Sequence, residues 1–438
     1  MPSHRSGHVC DQGLPEMSMF ALCDGNSFYC SCERIFRPEL RNFPCVALSN
    51  NDGCVIARTP EAKALKIRMG TPYYQIKHLV DAGQLVAFSS NFELYADISN
   101  RMMQTIASMV SGTESYSIDE AFCDVSGHNN LATLGAQIRA RVMQWVGIPT
   151  CVGIGPTKTL AKFCNHLAKK YPALQGVLVW TDLSSERQMK ALASEDVGEI
   201  WGIGGRISKK LHAQGIHSAW DFYQADTPTL RRQFGVVIER TQRELHGVAC
   251  DTLHQEETNR KHIIRSRSFG QSVTDVETLE AAIAHHISSG ATKLREQGTQ
   301  AHTVGVYIHT NRFREQDAQY HNHQYMVLPM ASSDTLQLNQ AAQLILRKMF
   351  KSGYAYKKCG IELAGIESMA TGVQQDLWAY GSNEKAANTM AALDLINRKF
   401  GRGSLKVGSE LLSNDWQMNR NAISPCFTTQ FSDLLEVS

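Results

Sequence analysis

Residues 115–125, SYSIDEAFCDV, put two carboxylates side by side in a run that otherwise reads as a buried β-strand. Neighbours in a regular strand point to opposite faces, and an unpaired carboxylate in an apolar layer is costly, so Asp119 and Glu120 cannot both face a dry core. Two readings are open. In one, the strand is amphipathic and water takes the acids. In the other, two strands meet in a tight hairpin and both carboxylates converge on a divalent cation. The second reading needs a third ligand, and Asp24 offers itself: the apolar run MFALC, residues 19–23, ends at it and turns into GNSFYCSCE. Three carboxylates with backbone oxygen and water suit hard Mg²⁺, and two such ions clamp the attacking and leaving oxygens of a phosphoryl transfer.

The 438 residues, 43% hydrophobic and 20% charged, supply material for two to four domains of a globular protein. No stretch approaches 18 consecutive apolar residues, and the opening MPSHRSGHVCDQGLPEMS lacks the apolar core of a secretory signal, so a cytoplasmic protein without a membrane anchor is expected. The 12 cysteines are scattered without a CxxC pair, and Cys30 and Cys32 lack zinc-finger partners, which predicts reduced thiols, mostly in cores. The net charge of +2 is uninformative, but its distribution is not. From Val125 to Thr181 there is no Asp or Glu, while Arg139, Arg141, Lys158, Lys162, Lys169 and Lys170 are all basic. Such a segment attracts polyanions unless it is only a solvated helix face.

Along the chain, strands and helices alternate from 19 to 180 and predict one mixed α/β unit. Within it, PCVALSNNDGCVIAR carries a hairpin signal at Asn50–Gly53, and the following TPEAKALKIRMG is helical, so 45–84 reads as an insertion. LVAFSS, a helix around 131–146, TCVGIG, PTKTLAKFCNHLAKKY and GVLVW complete the unit. Short helices broken by glycine fill 181–250, and 251–262 is a polar linker. A second α+β unit spans 263–367. Residues 368–438, rich in Gly, Ser and Asn with isolated apolar residues, read as a weakly ordered tail, and residues 1–18 as a disordered leader. There are no internal repeats.

Two further motifs carry chemistry. CVGIGPTKTLAK is similar to a P-loop, but the Walker pattern needs Gly directly before the Lys, where Thr157 stands. What remains is a strand leading into a helix whose Lys158 and Lys162, four residues apart, could hold a triphosphate or simply face solvent. WGIGGRISKKL, residues 201–211, fails the dinucleotide fingerprint because Ile207 stands where its third Gly belongs. Gly202, Gly204 and Gly205 in a hairpin between helices instead present backbone N–H groups to a phosphate, with Arg206, Lys209 and Lys210 adding charge. This is a helix-hairpin-helix signal for sequence-independent DNA binding.

Together LCDGNSFYCSCE, SNNDGCVIARTPEAKALKIRMG, YSIDEAFCDVSG, VGIGPTKTLAKFCNHLAKK and WGIGGRISKKL resemble the Y-family, or translesion, DNA polymerases. DLINRKFGRGSL, NDWQMNR and SPCFTTQFSDLLEV resemble the tail of its UmuC branch, the catalytic subunits of bacterial DNA polymerase V and their mobile-element relatives. The resemblance runs from Met19 to the end. It implies a right-hand architecture: palm over 19–180 with fingers at about 45–84, thumb over 181–250, little finger over 263–367 and a C-terminal tail. It implies that Asp24, Asp119 and Glu120 hold two Mg²⁺ ions, that Tyr29 is the steric gate under the sugar, and that Lys158 and Lys63 contact the incoming nucleotide. Pro60 stands where many relatives have a triphosphate-binding Tyr, so that role is not carried over. Lys66 stands where relatives often have Gly, which we assign to a surface turn. QQDLW resembles a clamp-binding peptide through Gln374, Leu377 and Trp378. The implied activity is error-prone translesion synthesis in the SOS response. The implied partners are primer–template DNA, dNTP, a processed UmuD-type dimer, a RecA filament and the sliding clamp.

A two-metal nuclease would also need three carboxylates and a DNA surface, but not a nucleotide pocket. A DNA-binding scaffold without catalysis would not need the carboxylates.

Overall fold

In a computed structural model of the chain, which describes residues 18–254, 259–369, 384–401, 403–411, 416 and 420–434, strand β1 (Phe20–Gly25) is buried along its whole length. That explains its unbroken apolar run, and it makes Asp24 the exception. Helix α1 (Phe28–Ile35) follows at once, through Ser27, which adopts a left-handed backbone with φ 49°. The chain then builds β2 (Cys45–Leu48), β3 (Val55–Arg58), α2 (Pro60–Ala64), α3 (Tyr73–Asp81) and β4 (Val86–Ser89). Thr59 caps α2 and Pro60 occupies its first turn, where a missing N–H costs nothing. Lys66 sits exposed at φ 62°, in the left-handed turn that favours glycine.

These strands form a separate sheet in the order β3-β2-β4, with β4 parallel to β2. The strand that follows the 45–84 insertion, β4, therefore pairs with the insertion's own β2. LVAFSS has the composition of a buried strand whichever sheet it joins, and only its hydrogen-bond partner decides.

Helix α4 (Phe92–Ala107), strands β5 (Gly112–Ser115) and β6 (Glu120–Asp124), helix α5 (Leu131–Val146), strand β7 (Thr150–Gly155), helix α6 (Lys158–Lys170) and strand β8 (Val177–Val179) complete the α/β unit that β1 begins. Its five-stranded sheet has the order β5-β6-β1-β7-β8. Helices α4 and α5 bury Leu94, Tyr95, Ile98, Met102, Ile138 and Val142 against one face. Helix α6 covers the other, and it comes very close. A Cβ on Gly153 would lie 2.1 Å from the Asn165 backbone nitrogen and 2.2 Å from the Ala161 oxygen, so only glycine lets α6 rest on β7.

Short helices follow: α7 (Ser185–Ala193), α8 (Gly205–His212), α9 (Ala219–Gln224), α10 (Thr227–Phe234) and α11 (Val236–Leu245). The element before α8 is a single 3₁₀ turn, Val197–Glu199, rather than the first helix of the expected motif.

A second unit contains β9 (Ile263–Val273), α12 (Val276–Glu296), β10 (Thr299–Thr310), β11 (His321–Ser332), α13 (Thr335–Met349) and β12 (Tyr356–Ser368). Its antiparallel sheet runs β11-β10-β12-β9 and packs on α12 and α13. Helix α14 (Glu384–Phe400) follows. The described residues of 18–48, 54–256 and 422–434 form one compact unit, and those of 49–53 and 257–421 the other.

The C-terminal segment corrects the expectation of a weakly ordered tail. Alanine, leucine and methionine in EKAANTMAALDLINRKF are strong helix formers, and Met390, Trp416 and Cys426 are buried. The isolated apolar residues are anchors. No disulfide joins the described cysteines, and most of them are buried. Among the described residues no helix is long and apolar enough to cross a membrane. The clamp-like residues Gln374, Leu377 and Trp378 lie outside the described residues, as do residues 1–17 of the leader.

Candidate active site

The opening question about Asp119 and Glu120 has a geometric answer. Residues 116–119 are not strand: Tyr116 and Ser117 both donate backbone hydrogen bonds to the Glu120 carbonyl, at 3.0 and 3.1 Å, closing a tight turn. Ser117 braces it, its hydroxyl accepting from the N–H groups of Asp119 and Glu120 and donating to Asp119 Oδ1 at 2.5 Å. Strand alternation therefore does not separate the pair. Glu120 opens β6 in register with Asp24 on β1, and the Gly25 N–H donates to the Asp119 carbonyl at 2.8 Å. Asp24 and Glu120 thus face each other across paired strands, with the Asp119 backbone bonded to Gly25 beside them.

Two lysines of α6 pair with Asp24 and Glu120. Lys169 Nζ pairs with Asp24 Oδ2, and Lys162 Nζ lies 2.9 Å from both Glu120 oxygens. Lys162 also sits over the Tyr116 ring, 4.6 Å from its centroid. Burial pushes the Asp24 carboxyl up to about 7 against the pull of Lys169, with a hydrogen bond to Glu120 adding to the rise. Burial works upward on Glu120 too, but hydrogen bonds from Asp24 and Lys162 outweigh it and hold that carboxyl low. Among the described residues no group of three His, Cys, Asp or Glu side chains is arranged to hold a metal ion with the lysines in place. The charge demand is nonetheless cationic and the donors are hard oxygens. The set fits divalent cations that take over from the two ammonium groups.

Beside the acids opens a cleft of about 390 Å³. Asp24, Asp119 and Tyr29 line it, together with Arg58, Lys63 and Lys169. Lys63 remains open to solvent, yet desolvation, followed by repulsion from Arg58 and Lys169, lowers its pKa. Three cations crowded on a cleft floored by carboxylates make a receptor for a metal-bound polyanion. Tyr29 is half-buried, stacked on Tyr95 with ring centroids 4.7 Å apart and edge-on to Phe92 at 5.9 Å. Burial, then the Asp119 charge, raises its phenol pKa. Its neighbour Phe28 is a core residue at 3% exposure.

Lys158 is not part of this cleft, which corrects the expectation that it contacts nucleotide. Its side chain is 1% exposed, and its ammonium is held by Glu114 at 2.7 Å and Asp251 at 3.0 Å. The reason is topological. Asp24 is in register with Cys151 at the start of β7, and α6 runs back along β7, as Asn165 shows by donating to the Cys151 carbonyl at 2.8 Å. The end of α6, not its beginning, returns to the level of Asp24. Lys169 follows Lys162 by seven residues, two turns on one face. That spacing within an acid-free segment was the available signal for it; Arg58 left none.

Just before α8, Gly202 has φ +89° and Gly204 is that helix's N-cap. Gly205, Arg206, Lys209 and Lys210 are exposed with them on the α8 side of the hairpin. Trp201, just before, donates its indole N–H to the Tyr116 hydroxyl at 3.0 Å.

Residues 23–166 match the impB/mucB/samB family and 260–377 that family's C-terminal domain, while 388–437 match a domain of unknown function, DUF4113. The chain is 43% identical to Protein UmuC of Salmonella typhimurium (strain LT2), over 96% of this chain and 100% of that protein. It is 27% identical to DNA polymerase IV of Moorella thermoacetica, over 87% and 93%. A solved Y-family DNA polymerase chimera shares the fold with a TM-score of 0.61 at 20% identity, over 80% of this chain and 99% of the chimera. With that identity, that coverage and that fold, the chain belongs to the impB/mucB/samB family of translesion, Y-family DNA polymerases.

Proposed function

We propose that the chain, as a DNA-directed DNA polymerase, performs translesion synthesis by two-metal nucleotidyl transfer at Asp24, Asp119 and Glu120. The observation that carries this reading is the juxtaposition of those acids with a cleft lined by Arg58, Lys63 and Lys169. A nuclease has no use for such a cation-lined nucleotide pocket. Two Mg²⁺ ions bound there would lower the pKa of the attacking 3′-hydroxyl and neutralise the leaving pyrophosphate. The three carboxylates fix the position of the charge. Lys169 exchanges its Asp24 partner for phosphate, and Lys63 and Arg58 hold the outer phosphates. Tyr29 packs beneath the sugar and leaves no room for a 2′-hydroxyl. Gly202, Gly204, Gly205, Arg206, Lys209 and Lys210 hold the DNA backbone without reading sequence.

The family further supports error-prone bypass in the SOS response, in the cytoplasm, with a processed UmuD-type dimer, a RecA filament and the sliding clamp as partners. Gln374, Leu377 and Trp378 are the proposed clamp-docking residues. Primer extension across an abasic site, with and without those partners, tests the reading. Growth of the primer only when dNTP and Mg²⁺ are present supports it. Shortening of the DNA without dNTP would indicate a nuclease, and binding with neither outcome a scaffold.

A further inference from the structure

Helix α1 presents Tyr29 to the cleft, and four residues on it carries Glu33, which is fully buried. Two hydroxyl groups donate to the same Glu33 oxygen, Oε1: that of Tyr95 at 2.6 Å and that of Ser424 at 3.0 Å. The other oxygen, Oε2, has no hydrogen-bond partner among the described residues. Tyr95 is the ring on which Tyr29 stacks, at 4.7 Å and 17°. Ser424 comes from the far end of the sequence, within the segment that matches a domain of unknown function.

That end is firmly held. Ser89 donates its backbone N–H to the Ala422 carbonyl at 2.9 Å, and Ala422 returns its own to the Ser89 hydroxyl at 3.0 Å. Asn91 caps α4 with Oδ1 while its amide donates to the carbonyls of Ser424 at 2.9 Å and Pro425 at 3.3 Å. Phe427 stacks on Phe36, just past α1, with centroids 4.5 Å apart at 18°. Cys426 is buried beneath.

We infer that residues 422–427 form a strap that positions the sugar gate: by fixing Glu33, and through it the Tyr95 ring that backs Tyr29, the strap sets how strongly a ribonucleotide is refused. The inference rests on the reading of Tyr29 as the gate. Tyr29 itself is wetted on its cleft side, so its resistance to a 2′-hydroxyl is only as stiff as the surface behind it. Overpacking excludes an atom only where neighbours cannot retreat. The strap places a second chain segment behind α1 and closes that retreat. Ser424 and Phe427 are not among the residues that line the cleft and act only through Glu33 and α1, which makes them positioning residues.

The test compares kcat/KM for a ribonucleotide and the matching deoxyribonucleotide with the full chain and its Ser424→Ala, Ser424→Thr, Phe427→Leu and Tyr29→Ala variants. Ser424→Ala is expected to raise relative ribonucleotide use about three- to tenfold, with the deoxyribonucleotide value within about twofold of the parent. Ser424→Thr keeps the hydroxyl and the parent ratio. Phe427→Leu moves the ratio in the same direction as Ser424→Ala and covers the case in which that variant does not fold. If Tyr29→Ala relaxes discrimination while Ser424→Ala and Phe427→Leu match the parent, the strap is only a tether and the inference falls. Equal losses for both sugars overturn it too. Should Tyr29→Ala itself discriminate like the parent, the gate reading fails, and the strap's role in selection fails with it.

Discussion

Replacing Lys169 by Met removes the ammonium that pairs with Asp24 and faces the nucleotide cleft. A hydrogen bond to a charged group contributes about 1.5–3 kcal/mol. Lys169 is 36% exposed, so solvent screens part of that, and the lower end applies. At 1.36 kcal/mol per decade this is a loss of roughly tenfold in kcat/KM for dNTP. Lys158→Met should behave in the opposite way. It strips a buried cation from Glu114 and Asp251, which are 16% and 40% exposed, so the usual cost of breaking a buried pair is reduced to about 2 kcal/mol of folding stability. The dNTP dependence should stay near the parent's. Single-nucleotide primer extension and urea unfolding of both variants separate the two roles. A Lys158→Met protein of parental stability with a tenfold loss in kcat/KM for dNTP, beside a Lys169→Met protein with parental kinetics, would refute the assignment of α6 to the cleft by its C-terminal end.

Tyr29→Ala removes an overpacking penalty of about 1–3 kcal/mol, so ribonucleotide use relative to deoxyribonucleotide should rise roughly 5- to 160-fold, with DNA affinity unchanged in a filter-binding assay. Replacing Arg206, Lys209 and Lys210 together by Ala should flatten the slope of log K against log salt for duplex DNA by about 0.9 for each phosphate that is no longer neutralised, equally on unrelated sequences. His286 is 5% exposed, and burial, helped by the nearby charges of His285, Arg267 and Arg265, pulls its pKa down to about 3. An unfolded chain takes up that proton from 6.5 downward, so the contribution of the neutral ring is intact above that pH and is lost as the pH falls between those values. Urea unfolding of the 263–368 region, followed by limited proteolysis, should lose stability between pH 6 and 4.5 more steeply in the parent than in His286→Asn, by about 1 kcal/mol per pH unit.

The acids were legible because their chemistry is adjacent in sequence: a strand that stops at Asp24 and a doublet in a hairpin can meet in few ways. The alternation of strands and helices pointed to a mixed α/β unit over 19–180 but not to its strand order. The pairing of β4 was not legible, because that strand looks the same whether it pairs with β2 or with the five-stranded sheet. Lys158 and Lys169 lie on one stripe of α6, eleven residues or about 16 Å apart, and helical periodicity says nothing about which end meets Asp24. That depended on the Asp24–Cys151 register and the return of α6 over Gly153. Ser424 was beyond sequence reasoning altogether, since 391 residues separate it from Glu33.

The central claim is that Asp24, Asp119 and Glu120 act together on a metal-bound nucleotide. Rapid-quench incorporation of a single dNTP, at several Mg²⁺ concentrations, compares the parent with Asp119→Asn and Glu120→Gln. Each isosteric change removes a charged ligand but leaves the thumb hairpin intact, so DNA affinity should hold while the incorporation rate falls on the order of a thousandfold, the equivalent of about 4 kcal/mol. Incorporation within tenfold of the parent by either variant, at ordinary Mg²⁺, would contradict the account.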